Sequence, residues 1–355
     1  MSFSQLRTVG FRNLADALIE FPSNTVFLVG ENGQGKTNLL EAIYVCAYGS
    51  SFRGVRDTQL VRDGNREASL TAVLSGDIEH QVRIKLQGAQ KSIQIDEKLA
   101  KNRKELISLS PTIIFCHEDM EFVSGSPERR RWFFDQTLSL YDSLYLEDLQ
   151  RYRHILKLRN VILKDGFIDT LESLDYQLAT VGLALIEKRK MISDQFSAVF
   201  SQLYEKITGI DGVILCYKPS WTSADRDTIV EHLVKTRERE LILKMSLSGP
   251  HRDRYQFVRY EREFETQAST GQRRLLALLL RVAQAMLYTS IAKRLPVLLL
   301  DDVMLELDPE KRKKFFSVLP ENEQAFFTFL PEEPFDRYKP EGTLVYHVKN
   351  GELRL

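Results

Sequence analysis

The sequence predicts an α/β fold: a parallel core sheet with an antiparallel β-subdomain, interrupted by an inserted helical domain. Three observations predict it. Thr25-Val26-Phe27-Leu28-Val29 is a short β-branched and apolar run that ends at Gly30 and is followed by a helical pattern. Three short alternating runs between residues 70 and 96 have the period of strands. From about Ser124 to Lys244 the texture becomes that of long amphipathic helices, and α/β alternation then returns.

The helix after the first strand is expected over Lys36–Tyr48, with Leu39, Leu40, Ile43 and Ala47 on one side. Leu70–Leu74, Gln81–Leu86 and Ser92–Asp96 are punctuated by Gly76-Asp77 and Gly88, which favours antiparallel hairpins over βαβ units. In the middle, Arg131–Arg159 and Leu171–Leu203 are the strongest helices, with interruptions at Gly166, Gly209 to Gly212 and Pro219. No sustained heptad array appears, which excludes a long coiled coil. Arg273–Met286 is apolar almost all round, the mark of a buried helix. Val297–Leu300 reads as a buried parallel strand, and Gln324–Phe329 and Thr343–Val348 as two further short strands. The expected division is a head formed by 1–122 and 245–355 and a helical arm formed by 123–244.

Composition bounds the function. The 355 residues are 43% hydrophobic and 28% charged, which excludes a disordered chain, a collagen and a disulfide-stapled mini-protein. No apolar run reaches the roughly 18 to 20 residues of a membrane span. Met1–Gly10 lacks a basic segment followed by an apolar one, so no export signal is expected. Cys46, Cys116 and Cys216 lie far apart and read as reduced, buried thiols of a cytoplasmic protein. Forty-nine basic side chains meet 49 acidic ones, which argues against capturing nucleic acid through overall charge, unless charge is segregated.

Gly30-Glu31-Asn32-Gly33-Gln34-Gly35-Lys36-Thr37 fits the phosphate-binding loop G-x-x-x-x-G-K-[ST]. The glycines let successive backbone N–H groups turn toward phosphate oxygens, and the helix starting at Lys36 adds its positive end. Lys36 can neutralise the β- and γ-phosphates, and the Thr37 hydroxyl can ligate Mg²⁺. About 265 residues later, Leu298-Leu299-Leu300-Asp301-Asp302 is an apolar strand ending in two acids. Such acids face the crevice at the C-terminal edge of a parallel sheet. Asp301 is placed to hold Mg²⁺, and Asp302 to polarise an attacking water as general base. Before this strand, Ser269-Thr270-Gly271-Gln272 combines a helix cap, an accessible glycine N–H and a helix N-terminus. The first loop already surrounds its own nucleotide, so this second anion site suits a nucleotide held by another subunit. Leu305-Glu306-Leu307-Asp308 follows the acids.

The order of these motifs resembles the ABC-type ATPase heads of the SMC/Rad50 group, where the last segment is the D-loop of a dimer interface. Further segments resemble the RecF family of bacterial recombination mediators. They are Phe11-Arg12-Asn13, the continuation of the loop through Asn38-Leu-Leu-Glu-Ala-Ile43, and Ser50-Ser51-Phe52-Arg53. Gly125-Ser-Pro-Glu-Arg-Arg-Arg131, Gly249-Pro-His-Arg-Asp253 and Leu300-Asp-Asp-Val303 complete the set, so the likeness runs the length of the chain. Thr270, Arg254 and the pair Thr328-Phe329 depart from the usual pattern. The resemblance implies a P-loop ABC-type head with a short helical arm, and ATP and Mg²⁺ as cofactors. It implies an ATP-dependent homodimer that binds duplex DNA near single-strand gaps. It also implies cooperation with RecR and RecO in loading RecA, with no membrane partner. No acidic nuclease cluster follows the paired acids, which disfavours an OLD-type nuclease.

The arm is itself neutral, with 18 basic and 18 acidic side chains. Arg129–Lys164, however, holds eight bases against four acids. As a single helix, 151–164 would put Arg153, Lys157 and Lys164 on one face and Ile155, Leu158 and Ile162 opposite. That stripe is either a solvated face or, with Arg129, Arg130 and Arg131, a contact for DNA phosphates. No helix-turn-helix, zinc-finger or aromatic RNA-binding signature is present. Lys311–Lys314 reads as a solvated helix end. Glu118 and Asp119 fall where a lid loop could meet Mg²⁺, and His251 either approaches the nucleotide or buttresses a turn. The rival functions are an ATPase subunit of a membrane transporter, another SMC-like ATPase, and a scaffold with a dead site.

Overall fold

The computed structural model describes residues 1–100, 102–166, 170–303 and 307–355. The chain opens with β1 (Ser2–Val9), β2 (Ala17–Glu20), β3 (Thr25–Val29) and α1 (Lys36–Tyr48). Next come β4 (Glu67–Ser75), β5 (His80–Gln87), β6 (Gln90–Ile95), β7 (Lys98–Leu99), α2 (Arg103–Leu109) and β8 (Thr112–Phe115). Then follow α3 (Glu121–Ser124), α4 (Pro127–Tyr141), α5 (Ser143–Asp165), α6 (Leu171–Thr208), β9 (Val213–Lys218) and α7 (Arg226–Leu243). After these stand β10 (Arg254–Arg259), β11 (Arg262–Glu263), α8 (Phe264–Gln267) and α9 (Thr270–Ala292). The last elements are β12 (Val297–Leu300), α10 (Pro309–Phe316), β13 (Gln324–Phe329), β14 (Leu344–Lys349) and β15 (Glu352–Arg354). They form two compact units, one of 1–119 with 288–355 and one of 120–287.

The first unit contains the core sheet, ordered β15-β14-β3-β13-β12-β8. All its pairings are parallel except the edge pair β14–β15. Every residue of β8, β12 and β13 is buried, as strands covered on both faces require. Phe27 of β3 packs edge-on against Phe327 of β13, ring centroids 5.3 Å apart. The consequence for function is positional: β3 and β12 flank β13, so Gly30, Asp301 and Thr328 lie at one edge of the sheet. A second, antiparallel sheet runs β2-β1-β4-β5-β6-β7. Strands β4 and β5 alternate buried and exposed residues, which gives the sheet one apolar face and confirms the hairpins.

The second unit is built around α6, which is 38 residues long. Gly182 lets Trp221 pack against this helix, since a Cβ there would fall 2.5 Å from the indole ring. The helix expected over Arg131–Arg159 is two helices, α4 and α5. The break is made by Asp142, whose carboxylate accepts from Leu144 N and Tyr145 N, both at 2.9 Å. No glycine or proline marks it. Asp142→Ala should lower stability by about 1 kcal/mol, the usual cost of losing an N-cap, read as a shift in urea midpoint.

Segment 245–287, expected in the head, packs with the helical unit, and two buried ion clusters hold it there. Arg159, fully buried, pairs with Asp175 at 2.6 Å and Glu240 at 2.7 Å and donates to Ser246 Oγ. Arg189 of α6 pairs with Asp135 at 2.8 Å and Asp253 at 2.7 Å and donates to Pro250 O at 2.7 Å. Strand β10 also pairs antiparallel with β9, a strand hidden between the interruptions near Gly212 and Pro219.

Two further expectations are corrected. Helix α9 is long and apolar enough to cross a membrane by length and composition, and 72% of that stretch is buried, as in a core helix. Arg281 interrupts the run in the sequence and conceals its average character. Cys46 and Cys116 are buried, but Cys216 is only partly so.

Candidate functional site

The loop between β3 and α1 is fixed by its glycines and by two neighbouring segments. A Cβ on Gly30 would fall 2.4 Å from Val348 O. Gly35, at φ 117°, occupies a conformation that favours glycine. Asn13 Nδ2 donates to Gly33 O at 3.0 Å, and Asn38 Nδ2 donates to Asn13 Oδ1 at 2.7 Å. On the other side Gly351 N donates to Gln34 O at 2.8 Å and Asn350 N to Gln34 Oε1 at 2.7 Å. Gln34 therefore shapes the loop. Glu31, Asn32 and Gly33 are exposed at its crest. No side chain caps α1, so its first-turn N–H groups remain available to an anion. Lys36 is buried and its ammonium donates to Gly30 O at 2.5 Å and Glu31 O at 3.0 Å, folded back over the loop that phosphates would fill.

Thr37 Oγ1 donates to Asp301 Oδ1 at 2.8 Å, so the two halves of the motif meet across 264 residues of sequence. Burial, and after it the neighbouring Asp302 charge, push the Asp301 carboxyl up to about 7. Asp302 sits at φ 50°, an uncommon backbone for a non-glycine residue. Thr328 of β13 holds it there: its Oγ1 accepts from Asp302 N at 2.7 Å and donates to Asp302 Oδ1 at 3.0 Å. Thr328 is thus part of the site, although the sequence marked it only as a departure from a pattern. Glu118, exposed after β8, raises Asp301 further, while Arg53 opposes it. Asp119 is different: it is fully buried and accepts from Cys116 N at 3.0 Å, which makes it a turn residue.

Phe11-Arg12-Asn13, Glu41 and Ser51-Phe52-Arg53 come together beside this site. The buried Glu41 carboxylate accepts from Arg12 Nε at 2.8 Å and Ser51 Oγ at 2.5 Å, and Arg53 lies 3.7 Å away. Arg53 also donates to Asn38 Oδ1 at 3.1 Å, tying the cluster to α1.

Two hard oxygen donors in contact, one of them a buried carboxyl whose ionisation a cation would favour, fit Mg²⁺. Among the described residues no group of three or more His, Cys, Asp or Glu could hold a metal. That suits an ion whose remaining ligands are phosphates and water.

The other expected site residues have local partners of their own. Ser269 and Gln272 form reciprocal bonds at the start of α9, Ser269 N to Gln272 Oε1 at 2.8 Å and Gln272 N to Ser269 Oγ at 3.3 Å. Ser269, Thr270 and Gly271 are exposed, and nothing lies within 4 Å of where a Gly271 Cβ would be. Asp308 caps α10, accepting from Lys311 N at 2.9 Å and pairing with Lys311 Nζ at 2.5 Å. Its carboxylate is thus already engaged, and Lys311 is its partner. Leu305 and Glu306 lie outside the described residues.

Among the basic residues, Arg153, Lys157 and Lys164 are exposed along α5 as expected. Arg129 is exposed but paired with Glu121 at 2.7 Å. Arg130 is turned inward, onto Tyr255 O, Glu265 and Val123 O, and Arg131 donates to Asp253 O at 2.8 Å. Arg159, one of the eight bases of Arg129–Lys164, is fully buried, whereas Leu158, expected on the apolar side opposite the stripe, is exposed. His251 buttresses a turn: Nδ1 contacts Tyr152 OH at 2.8 Å and Nε2 contacts Ser246 O at 3.2 Å. Burial pushes it down to about 4, so it is neutral at physiological pH.

Comparison with known proteins agrees with this architecture. Residues 2–351 match the family model for the RecF/RecN/SMC N-terminal domain. The chain is 45% identical over 348 residues to the DNA replication and repair protein RecF of Treponema pallidum (strain Nichols), covering 98% of this chain and 99% of that one. It is 32% identical over 326 residues to the RecF of Leptospira interrogans strain Fiocruz L1-130, covering 90% and 89%. Among solved structures it is similar to the recombination mediator RecF with ATP, in the RecFOR pathway. The TM-score is 0.90 at 27% identity, over 99% of this chain and 96% of that one. An SMC head bound to ScpA gives a TM-score of 0.60 at 14% identity, a likeness of fold alone. The chain belongs to the RecF family.

Proposed function

We propose that this protein is a cytoplasmic ATPase of recombinational DNA repair and replication, acting as a slow conformational switch. The observation that carries the reading is the convergence of Lys36, Thr37, Asp301, Asp302 and Thr328 at one edge of the parallel sheet. Lys36 exchanges its loop carbonyls for β- and γ-phosphate oxygens, and the free N–H groups of the loop and α1 orient the phosphates. Thr37 and Asp301 would hold Mg²⁺, which would supply charge neutralisation at the phosphates. Asp302, fixed by Thr328, orients and deprotonates the attacking water. The exposed start of α9, with Ser269, Gly271 and Gln272, receives the nucleotide held by a second copy of the chain, with Asp308 near that interface. Two copies then close on duplex DNA near a strand gap, and hydrolysis releases it.

DNA contacts come from Arg153, Lys157 and Lys164 rather than Arg130. They go to phosphates, so binding is salt-sensitive and nearly independent of sequence. RecR, RecO and RecA are the partners this reading assigns, in line with the pathway named for the related structure.

Light scattering with and without ATP and a gapped duplex tests the reading. The wild type should double in mass with ATP and respond to DNA. Lys36→Ala should lose ATP binding and stay monomeric. Ser269→Arg should bind ATP yet fail to dimerise, and a Ser269→Arg dimer would refute the second-copy site. A transporter subunit would not respond to DNA.

A further inference from the structure

The proposed ATP cycle does not use the two segments Gly125–Arg131 and Gly249–Asp253. In the second unit they meet, and between them is a cavity of about 350 Å³, within the usual range of small-ligand sites. Arg131 and Arg252 stand on its wall, with Arg153 and Arg189 from the helices. Against these four arginines stand three acids, Glu128 and Asp135 on the wall and Asp253 behind it, with Arg189 held by Asp253 at 2.7 Å and Asp135 at 2.8 Å and Arg153 by Asp135 at 3.5 Å. Positive charge is left over. Arg131 bears its mark: burial and the neighbouring Arg189 hold its guanidinium below the ordinary value. The polar wall opposite is rigid, because Tyr152 and His251 are bonded to each other.

The same cavity carries an aromatic ring. Trp132 is 39% exposed. It stacks on Phe122 with centroids 5.7 Å apart, and Arg281 backs Phe122 at 4.9 Å. The ring is therefore a preorganised platform beside uncompensated arginines. Guanidinium groups suit phosphate, and an indole face suits a planar base.

We propose that this cavity is a second nucleotide subsite, separate from the P-loop, in which Arg131 and Arg252 take a phosphate and Trp132 stacks on the attached base. The nucleotide is either free or part of a nucleic-acid strand. The strand source rests on the DNA-binding reading, whereas the free source does not.

The test uses the full-length Lys36→Ala protein, in which the P-loop no longer competes, with AMP and an eight-residue thymidine oligonucleotide as probes. Of the two tryptophans, Trp221 is buried, so a Trp221→Phe background leaves Trp132 as the reporter. Quenching of Trp132 by AMP supports the subsite with a free nucleotide as ligand, and quenching by the oligonucleotide alone supports it with a strand. Anisotropy of labelled probe should show about tenfold weaker binding for Trp132→Ala, near-normal binding for Trp132→Phe, and about tenfold weaker binding for Arg252→Gln. Quenching by neither probe overturns the proposal, as does quenching by an acidic peptide alone. Equal loss in the Ala and Phe variants also overturns it. The probes carry no triphosphate, so a failure here leaves the ATPase reading untouched.

Discussion

Asp301→Asn should reduce ATP hydrolysis by roughly a hundredfold or more and, at the same time, make the nucleotide-free protein more stable at pH 8. Both effects have one cause. The Asp301 carboxyl is buried beside Asp302 and titrates at about 7, against an ordinary value of 3.8. Between those two values the folded chain holds a proton that the unfolded chain has released. Stability contributed by this group is therefore complete below about pH 4, falls as pH rises toward 7, and is level above it. Asparagine has no proton to lose and can still accept from the Thr37 hydroxyl. Wild type and variant should melt alike near pH 4 and diverge up to pH 7, the variant then being more stable by on the order of a few kcal/mol. Below pH 7, where the Asp301 carboxyl is still protonated, adding Mg²⁺ and ATP should release a proton from the wild type and none from this position in the variant. A variant that melts below the wild type at pH 8 would rule out the buried-acid account.

The sequence was most legible where function depends on neighbours in the chain. The strand Thr25–Val29, the helix Lys36–Tyr48 and the strand Val297–Leu300 fall where periodicity put them, because a loop that binds phosphate needs a strand and a helix joined directly. What stayed hidden depends on partners distant in sequence. Thr328 meets Asp302 only because β13 lies between β3 and β12, an order that no local pattern encodes. Charge alone misled at Arg130, whose acidic partner Glu265 lies far along the chain. The α4–α5 break rests on a single aspartate cap, indistinguishable in sequence from any surface acid. The boundary at 287 was invisible for the same reason, since buried ion pairs and not composition attach 245–253 to the helices.

Arg189→Met tests those ion pairs and should be the most destabilising substitution in the second unit. The guanidinium is nearly inaccessible and touches Asp135, Asp253, Tyr145 and Pro250 O. Its own charge is firmly held, well above the ordinary value, by those acids. Methionine keeps much of the volume but leaves the buried Asp253 carboxylate without its cation and Asp135 with only the looser Arg153 at 3.5 Å. Removing one partner of such a cluster costs roughly 3–5 kcal/mol, much of the margin of an ordinary domain. The pH dependence follows in sign. Burial already pushes the Asp253 carboxyl up, and Arg189, the Tyr217 hydroxyl and Ser220 N pull it back. Without Arg189 it rises further, so the deficit should be larger at pH 8 than at pH 5. Adding Asp253→Asn to Arg189→Met should recover part of the loss, because a neutral amide tolerates burial where a lone carboxylate does not. Urea unfolding of the four proteins of this cycle gives the coupling directly. Strict additivity would mean that the turn Gly249–Asp253 is held by packing alone.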